Sequence, residues 1–205
     1  MGRREERRER TLAEIREAAI GCMADEGVAG LNLSEVARRV GMRTPSLYEY
    51  FPSKLAVYDD LFGLGVRRCQ AAVEEAVDGL APGIGRLAAG NVAFVSWCAA
   101  NPVLAQLLFW RPVPGFEPSP ASYAEARRML ERLREELADT ARAGELSPDA
   151  ARDEGLALYT ALTQGVVSQH LANEPGVPFE KGRFTALLPV LLELFRHRYA
   201  PKEPR

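Results

Sequence analysis

Few residues in this 205-residue chain are placed to make or break bonds. It has two histidines, His170 and His197, and three cysteines, Cys22, Cys69 and Cys98. None stands at a metal-ligand spacing, and no Gly-rich phosphate loop, HExxH, CxxC or GxSxG pattern occurs. No enzyme activity, cofactor or metal ion is therefore expected. The polar residues that do cluster are Arg43, Thr44, Ser46, Tyr48, Glu49, Tyr50 and Lys54, interleaved with Leu47 and Phe51. Hydroxyls and cations so arranged donate hydrogen bonds to phosphate oxygens. The Thr44 methyl and the Pro45 ring beside them offer apolar contact to a thymine methyl. The chemistry to expect is the binding of a nucleic-acid duplex.

Two short helices must position these groups. Ser34 is a good N-cap for the first, with Val36, Ala37 and Val40 on its apolar face. Gly41 suits the left-handed residue after its end, where a Cβ costs energy. Thr44 and Pro45 open the second, and Leu47 and Phe51, four apart, face inward. Two helices joined by a tight turn at glycine form a helix-turn-helix, whose second helix enters the major groove of DNA. An ordinary helical hairpin shares the bare pattern; the exposed hydroxyls and the lysine favour DNA. Upstream, Leu12, Ile15, Ala19, Cys22 and Met23 share one face of a helix from Thr11 to about Glu26, ended by Gly27 and Gly30. The expected three-helix core is Ile15, Ala19, Met23, Leu31, Leu33, Val36, Val40, Leu47 and Phe51, with Cys22 as a core filler. Residues 1–10 mix five arginines with three glutamates. They read either as a solvated, frayed helix start or as an arm that follows the DNA backbone.

The run GMRTPSLYEYFPSK, Gly41 to Lys54, resembles the signature of the TetR family of bacterial transcriptional regulators. Ala24-Asp25-Glu26-Gly27-Val28 and Leu33 to Val40 fit the same pattern. The resemblance covers about the first quarter of the chain. It implies an all-α fold of about nine helices: a helix-turn-helix DNA-binding domain over 1–54, then a ligand-binding and dimerisation domain over 55–205. It also implies double-stranded operator DNA, a small-molecule effector and a second copy of the chain as partners, with repression at a palindromic site as the common mode. Residues matching Tyr48, Tyr50 and Lys54 hold phosphates in the family, while Thr44, Pro45 and Ser46 meet base edges. Ser34 and Arg4 complete the expected DNA contacts. Arg43 stands where the family more often has a small capping residue, so it either weakens the cap or supplies a guanine- or phosphate-binding cation. Glu49 either points away or accepts from a cytosine amino group.

Composition agrees with this reading. The apolar fraction of 47% is ample for a packed core, and the net charge of −2 argues against a protein that coats nucleic acid along its whole length. Residues 1–54 are slightly basic and the remainder acidic. The odd, scattered cysteines suit a reducing compartment, and no run reaches the length of a membrane span, so the cytoplasm and no membrane partner are expected.

Beyond Lys54 a long helix is expected to about Leu80, a lever between the two domains. Gly63 and Gly65 within it mark either a soft point or close packing. Further helices are expected over Ile84–Ala100, from Asn101-Pro102 onward, about Ser122–Ala143, Ser147 to about Asn173, and about Phe179–Tyr199. Residues 111–120 hold four prolines and read as a mobile loop. Phe62, Val66, Phe94, Trp97, Phe109, Trp110, Tyr123, Tyr159, Thr163 and His170 are the candidate ligand contacts, although any one of these aromatics is more often core. Small residues including Ala161, Gly165 and Ser168 let another helix approach closely. With Leu187, Leu191 and Phe195 on a last helix that is apolar nearly all round, they predict a four-helix dimer interface. A DNA-binding protein without an effector is the alternative; a helical enzyme has no motif in its favour.

Overall fold

The structure of the chain, a computed structural model, describes residues 2–201. Among these residues there is no strand. The helices are α1 (Arg3–Glu26), α2 (Leu33–Arg39), α3 (Thr44–Tyr48), α4 (Lys54–Val77), α5 (Ile84–Ala100), α6 (Pro102–Phe109), α7 (Pro120–Arg142), α8 (Asp153–Asn173) and α9 (Leu188–Arg198). No single described helix is long and apolar enough to cross a membrane. The chain divides into two compact units. One holds the residues up to Gly65 with Val103–Ala124; the other holds Val66–Pro102 with the chain from Glu125 onward.

The first unit is built on α1. Ile15, Ala19, Cys22 and Met23 are its buried stripe, and Val36, Leu47, Val57, Tyr58 and Leu61 meet the same core, none more than 1% exposed. Val40, expected in that core, is only half-buried because it is the C-cap of α2, where the chain turns away. Helix α1 begins eight residues before Thr11, so the Arg/Glu run is helical rather than frayed; Glu5 and Glu6 in its first turn complement the helix dipole. Two buried or half-buried polar links fasten α4 to this bundle. The Tyr58 hydroxyl donates to the Val28 carbonyl at 2.6 Å, and Arg16 grips Asp60 through two bonds of 2.7 Å. A Cβ on Gly65 would collide with Leu108, so this glycine marks close packing of α4 on α6. The four-proline segment is a loop, but an anchored one. Val113 and Phe116 are buried, Phe116 lies 5.7 Å from the Tyr58 ring, and Ser119 N–H donates to Asp59 at 2.7 Å. Prolines made it look mobile; two apolar residues between them hold it down.

The second unit centres on Leu87, Leu137, Leu146, Leu156, Tyr159, Phe195 and Tyr199. Tyr159 stands edge-on to Phe195 at 5.2 Å, and Phe195 lies 4.9 Å from Tyr199. Cys69 and Cys98 are free and wholly buried, and the Cys98 thiol is held up by its bond to Cys69 and by burial. The last helix is shorter than expected. Phe179–Lys181 and Thr185–Leu187 are single tight turns, and α9 starts only at Leu188. Gly182 explains part of this: a Cβ there would strike the His170 ring, so the backbone must pass close by. Pro189 explains the rest, since it fits only the first turn of a helix. Likewise Pro148–Ala151 is a separate turn, and α8 begins at Asp153.

Removing the Tyr58 hydroxyl leaves the Val28 carbonyl buried without a donor. Tyr58→Phe should therefore lose about 1–3 kcal/mol of stability, read as a lower urea midpoint at unchanged slope. An unchanged midpoint would mean that this bond does not hold α4 to the bundle.

Candidate nucleic-acid interface

The reading face begins with how α2 starts and stops. Asn32, not Ser34, is the N-cap: its Oδ1 accepts from Ser34 N–H at 2.9 Å and from Glu35 N–H at 3.3 Å. Asparagine and serine cap comparably, so residue type alone does not choose. Burial does, because Leu33 and Val36 both face the core from one helical face and the helix therefore starts at Leu33. Ser34 sits in the first turn of α2, exposed. At the other end Gly41 takes φ 68°, while Met42 N–H reaches Ala37 O at 2.9 Å and Gly41 N–H reaches Arg38 O at 3.2 Å. This paired closure satisfies two end carbonyls and reverses the chain.

Arg43 is the N-cap residue of α3 and makes no side-chain cap bond, so the weaker cap is what its presence costs. Its guanidinium is left exposed. Leu47 is fully buried and Phe51 nearly so, with Phe51 N–H on Leu47 O at 3.0 Å. That leaves Pro45, Tyr48 and Glu49 exposed and Thr44, Ser46 and Tyr50 half-buried on the outer side of the turn. Tyr50 is braced by Arg8, whose guanidinium lies 5.0 Å from its ring centre. Lys54 is not a free cation. Its Nζ donates to Ala29 O at 3.1 Å and sits 5.7 Å from the Tyr58 ring centre. Arg4 lies exposed in the first turn of α1.

Charges on α2 are mutually held. Glu35 accepts from Arg38 through two bonds of 2.7 Å and from Arg39 at 2.8 Å, and Arg39 also reaches Asp25 at 2.7 Å. These guanidinium bonds draw the Glu35 carboxyl down to about 2 and raise Arg39. Arg38 stays largely in solvent and faces out as a cation. Asn32, Arg38 and Arg8 were absent from the expected set. The three- and four-residue spacing from Glu35 announces Arg38 and Arg39; nothing in sequence announces a pairing of Arg8 with Tyr50.

A helix-turn-helix seated on a third helix, with hydroxyls and a guanidinium on its outer side, has the form of a DNA-reading element. Residues 15–61 match the family of bacterial regulatory proteins, tetR family. Over that segment the chain carries a TetR-type DNA-binding region. Among curated relatives is the HTH-type transcriptional regulator Mb1846 of Mycobacterium bovis, 30% identical over 128 residues, which are 58% of this chain and 52% of the relative. The chain thus spans about half the length of the curated relatives it matches. The fold is shared with regulatory protein SCO4313, at TM-score 0.76 and 23% identity over 95% of this chain and 98% of that one. It is shared too with FadR of Bacillus subtilis, at TM-score 0.63 and 19% identity over 90% and 97%. The TetR family and these curated relatives are regulators, not enzymes.

The remaining candidates scatter. Phe62, Val66, Trp97, Tyr159, Thr163 and His170 are buried, Phe94 and Phe109 half-buried, Trp110 and Tyr123 exposed. His170 is buried with both ring nitrogens partnered: Nδ1 faces Glu174 at 3.3 Å and Nε2 faces Val177 O at 3.0 Å. Tyr159 is likewise core, its hydroxyl turned to Leu87 O at 3.5 Å. Phe195, expected at a dimer surface, is 1% exposed within its own chain, because α9 turns that side toward Tyr159 and Tyr199. Ala161, Gly165 and Leu187 are exposed, and Ser168 and Leu191 half-buried. Val190 and Leu194, at 48% and 56% exposure, extend that apolar surface.

The cap assignment is directly testable. Asn32→Ala should cost about 1 kcal/mol, while Ser34→Ala should stay within about 0.5 kcal/mol, both from denaturant curves. The reverse order would return the cap to Ser34.

Proposed function

We propose that the chain is a ligand-responsive transcriptional repressor that binds a palindromic operator as a homodimer. In this reading residues 1–54 bind DNA, and residues 55–205 bind the effector and the second copy. The observation that carries it is the outer side of the Gly41 turn. Arg43, Thr44, Pro45, Ser46 and Tyr48 are presented there by α3 and its N-cap, while Leu47 of α3 and Phe51 just beyond it are used by the core. Thr44, Pro45 and Ser46 approach base edges, and Arg43, Tyr48 and Arg38 hold phosphates. Tyr50 and Lys54 act mainly by bracing, since each already has a partner.

The dimer reading rests on α8 and α9. Val190 and Leu194 on α9, with Leu187 in the turn just before it, leave an apolar strip without cover in a single chain, and Ala161 and Gly165 leave an open small-residue surface on α8. Exposed apolar strips of this kind mark protein contacts. A two-fold dimer would set reading helices about 34–36 Å apart, one turn of DNA. Helix α4 runs unbroken from the phosphate-side Lys54 to Val77, and an effector would act by favouring one of two states along it. FadR of Bacillus subtilis, a neighbour in fold, is in complex with stearoyl-CoA, which supports a mostly apolar effector. The cytoplasm is the compartment this function requires.

Selection from a randomised duplex pool at fixed salt should return an inverted repeat with half-sites about one turn apart. Tyr48→Ala and Arg43→Ala together should then weaken binding to it at least about tenfold and reduce the slope of log affinity against log salt. Binding that is unchanged would remove α3 from the interface. Leu194→Arg should yield a monomer in light scattering with poor operator affinity; a variant that stays dimeric would move the interface elsewhere.

A further inference from the structure

Arg38 and Arg39 read in sequence as two cations on the outer side of α2, and the first helix of a helix-turn-helix crosses the DNA backbone. The structure gives both of them to carboxylates. Glu35 accepts from Nε and Nη2 of Arg38, each bond 2.7 Å, and from Nε of Arg39 at 2.8 Å. Arg39 Nη2 also donates at 2.7 Å to Asp25, in the last turn of α1. A Cβ on Gly21 would stand 3.0 Å from Arg39 Nη1, so this glycine leaves the space in which the guanidinium bridges α1 and α2. Two acids and two bases thus form one chain without net charge.

This pairing has two opposed effects on a passing phosphate. The side chain of Arg38 is 73% exposed, and the two-pronged bond to Glu35 leaves its Nη1 free to donate outward. Holding Arg38 in place favours a phosphate contact, while the carboxylate charge beside it opposes one. Magnitudes decide between them. An exposed pair one turn apart on a helix is worth about a factor of two. One further uncompensated cation against a duplex is worth about three- to tenfold in affinity at about 0.1 M salt, and adds about one to the salt slope. The charge effect wins. The bonds from Arg38 and then Arg39 draw the Glu35 carboxyl down to about 2, so it stays ionised at neutral pH.

We propose that Glu35 is a brake on phosphate binding: it holds Arg38 and Arg39 so that α2 meets the DNA backbone as a neutral surface, and it lowers affinity for every duplex by a similar factor. Asp25 shares the task at Arg39. This rests on the regulator reading above and adds to it what limits the strength of the grip. Sequence preference stays with α3, and a weaker backbone grip lets an effector shift the bound state with a smaller difference in affinity.

Glu35→Gln in the full chain tests this, because glutamine keeps the side-chain length and suits the third position of a helix as glutamate does. Binding to a selected duplex and to a scrambled one is measured across a salt series. The variant should bind both about three- to tenfold more tightly at about 0.1 M salt, with a slope steeper by about one. Asp25→Asn should move affinity in the same direction. In an Arg38→Gln background, Glu35→Gln should lose most of its gain, since the cation it releases is gone. Unchanged or weaker binding by both Glu35→Gln and Asp25→Asn would overturn the proposal, as would a gain confined to one duplex or one undiminished by Arg38→Gln. A wild-type chain that binds both duplexes, with no gain in either variant, refutes the brake alone; one that binds neither duplex overturns the regulator reading with it.

Discussion

The left-handed turn at Gly41 is the constraint on which the interface depends. At φ 68° a side chain bearing Cβ would cost about 1–2 kcal/mol, although no neighbouring atom stands in the way. The penalty is thus one of backbone conformation. With glycine there, Met42 and Gly41 close the end of α2 on Ala37 and Arg38, and the chain leaves in one direction. That direction lets Leu47 and Phe51 join Ile15, Met23 and Val36 in the core. What α3 then shows to solvent is simply what the core does not take: Arg43, Pro45, Tyr48 and Glu49. The functional face is a by-product of packing, which is why it can be both polar and rigidly placed.

The same economy holds behind the turn. Tyr58 reaches back to Val28, Arg16 grips Asp60, and Lys54 reaches Ala29, so the first turns of α4 are tied at three points to the helices that carry the reading element. Lys54 gives up part of its freedom as a cation to do this. Arg8 makes a similar exchange by stacking on Tyr50. Both cases show cations used first to fix an aromatic or a loop, leaving Arg38 and Arg43 as the more open charges. In the second unit the aromatic trio Tyr159, Phe195 and Tyr199 sets one side of α9 inward and so leaves Leu187, Val190 and Leu194 outward.

Local signals explain what was legible from sequence. Gly83 and the Asn101-Pro102 step bound α5 sharply, and its ends fall where those residues place them. The three-helix core was readable from apolar spacing, apart from Val40, whose position as a helix cap depends on the turn rather than on its hydrophobicity. Ser34 and Asn32 are equivalent as caps by type, and only the burial of Leu33 separates them. Interactions between distant residues were hidden: the Arg8–Tyr50 stack, the bond of His170 to Val177, and the anchoring of Phe116 against Tyr58. The length of the last helix was misjudged because its apolar residues continue through two tight turns, where Gly182 must pass the His170 ring. Hydrophobic content reports burial; it does not report the backbone that delivers it.

The central claim is sequence-specific DNA recognition by the face that surrounds the Gly41 turn. Its most direct test is the ratio of dissociation constants for a selected duplex and a scrambled duplex of equal length and composition, at one physiological salt concentration. Specific recognition predicts a ratio of at least about 10³. Equal affinities would reduce the interface to a phosphate-binding surface and contradict the account.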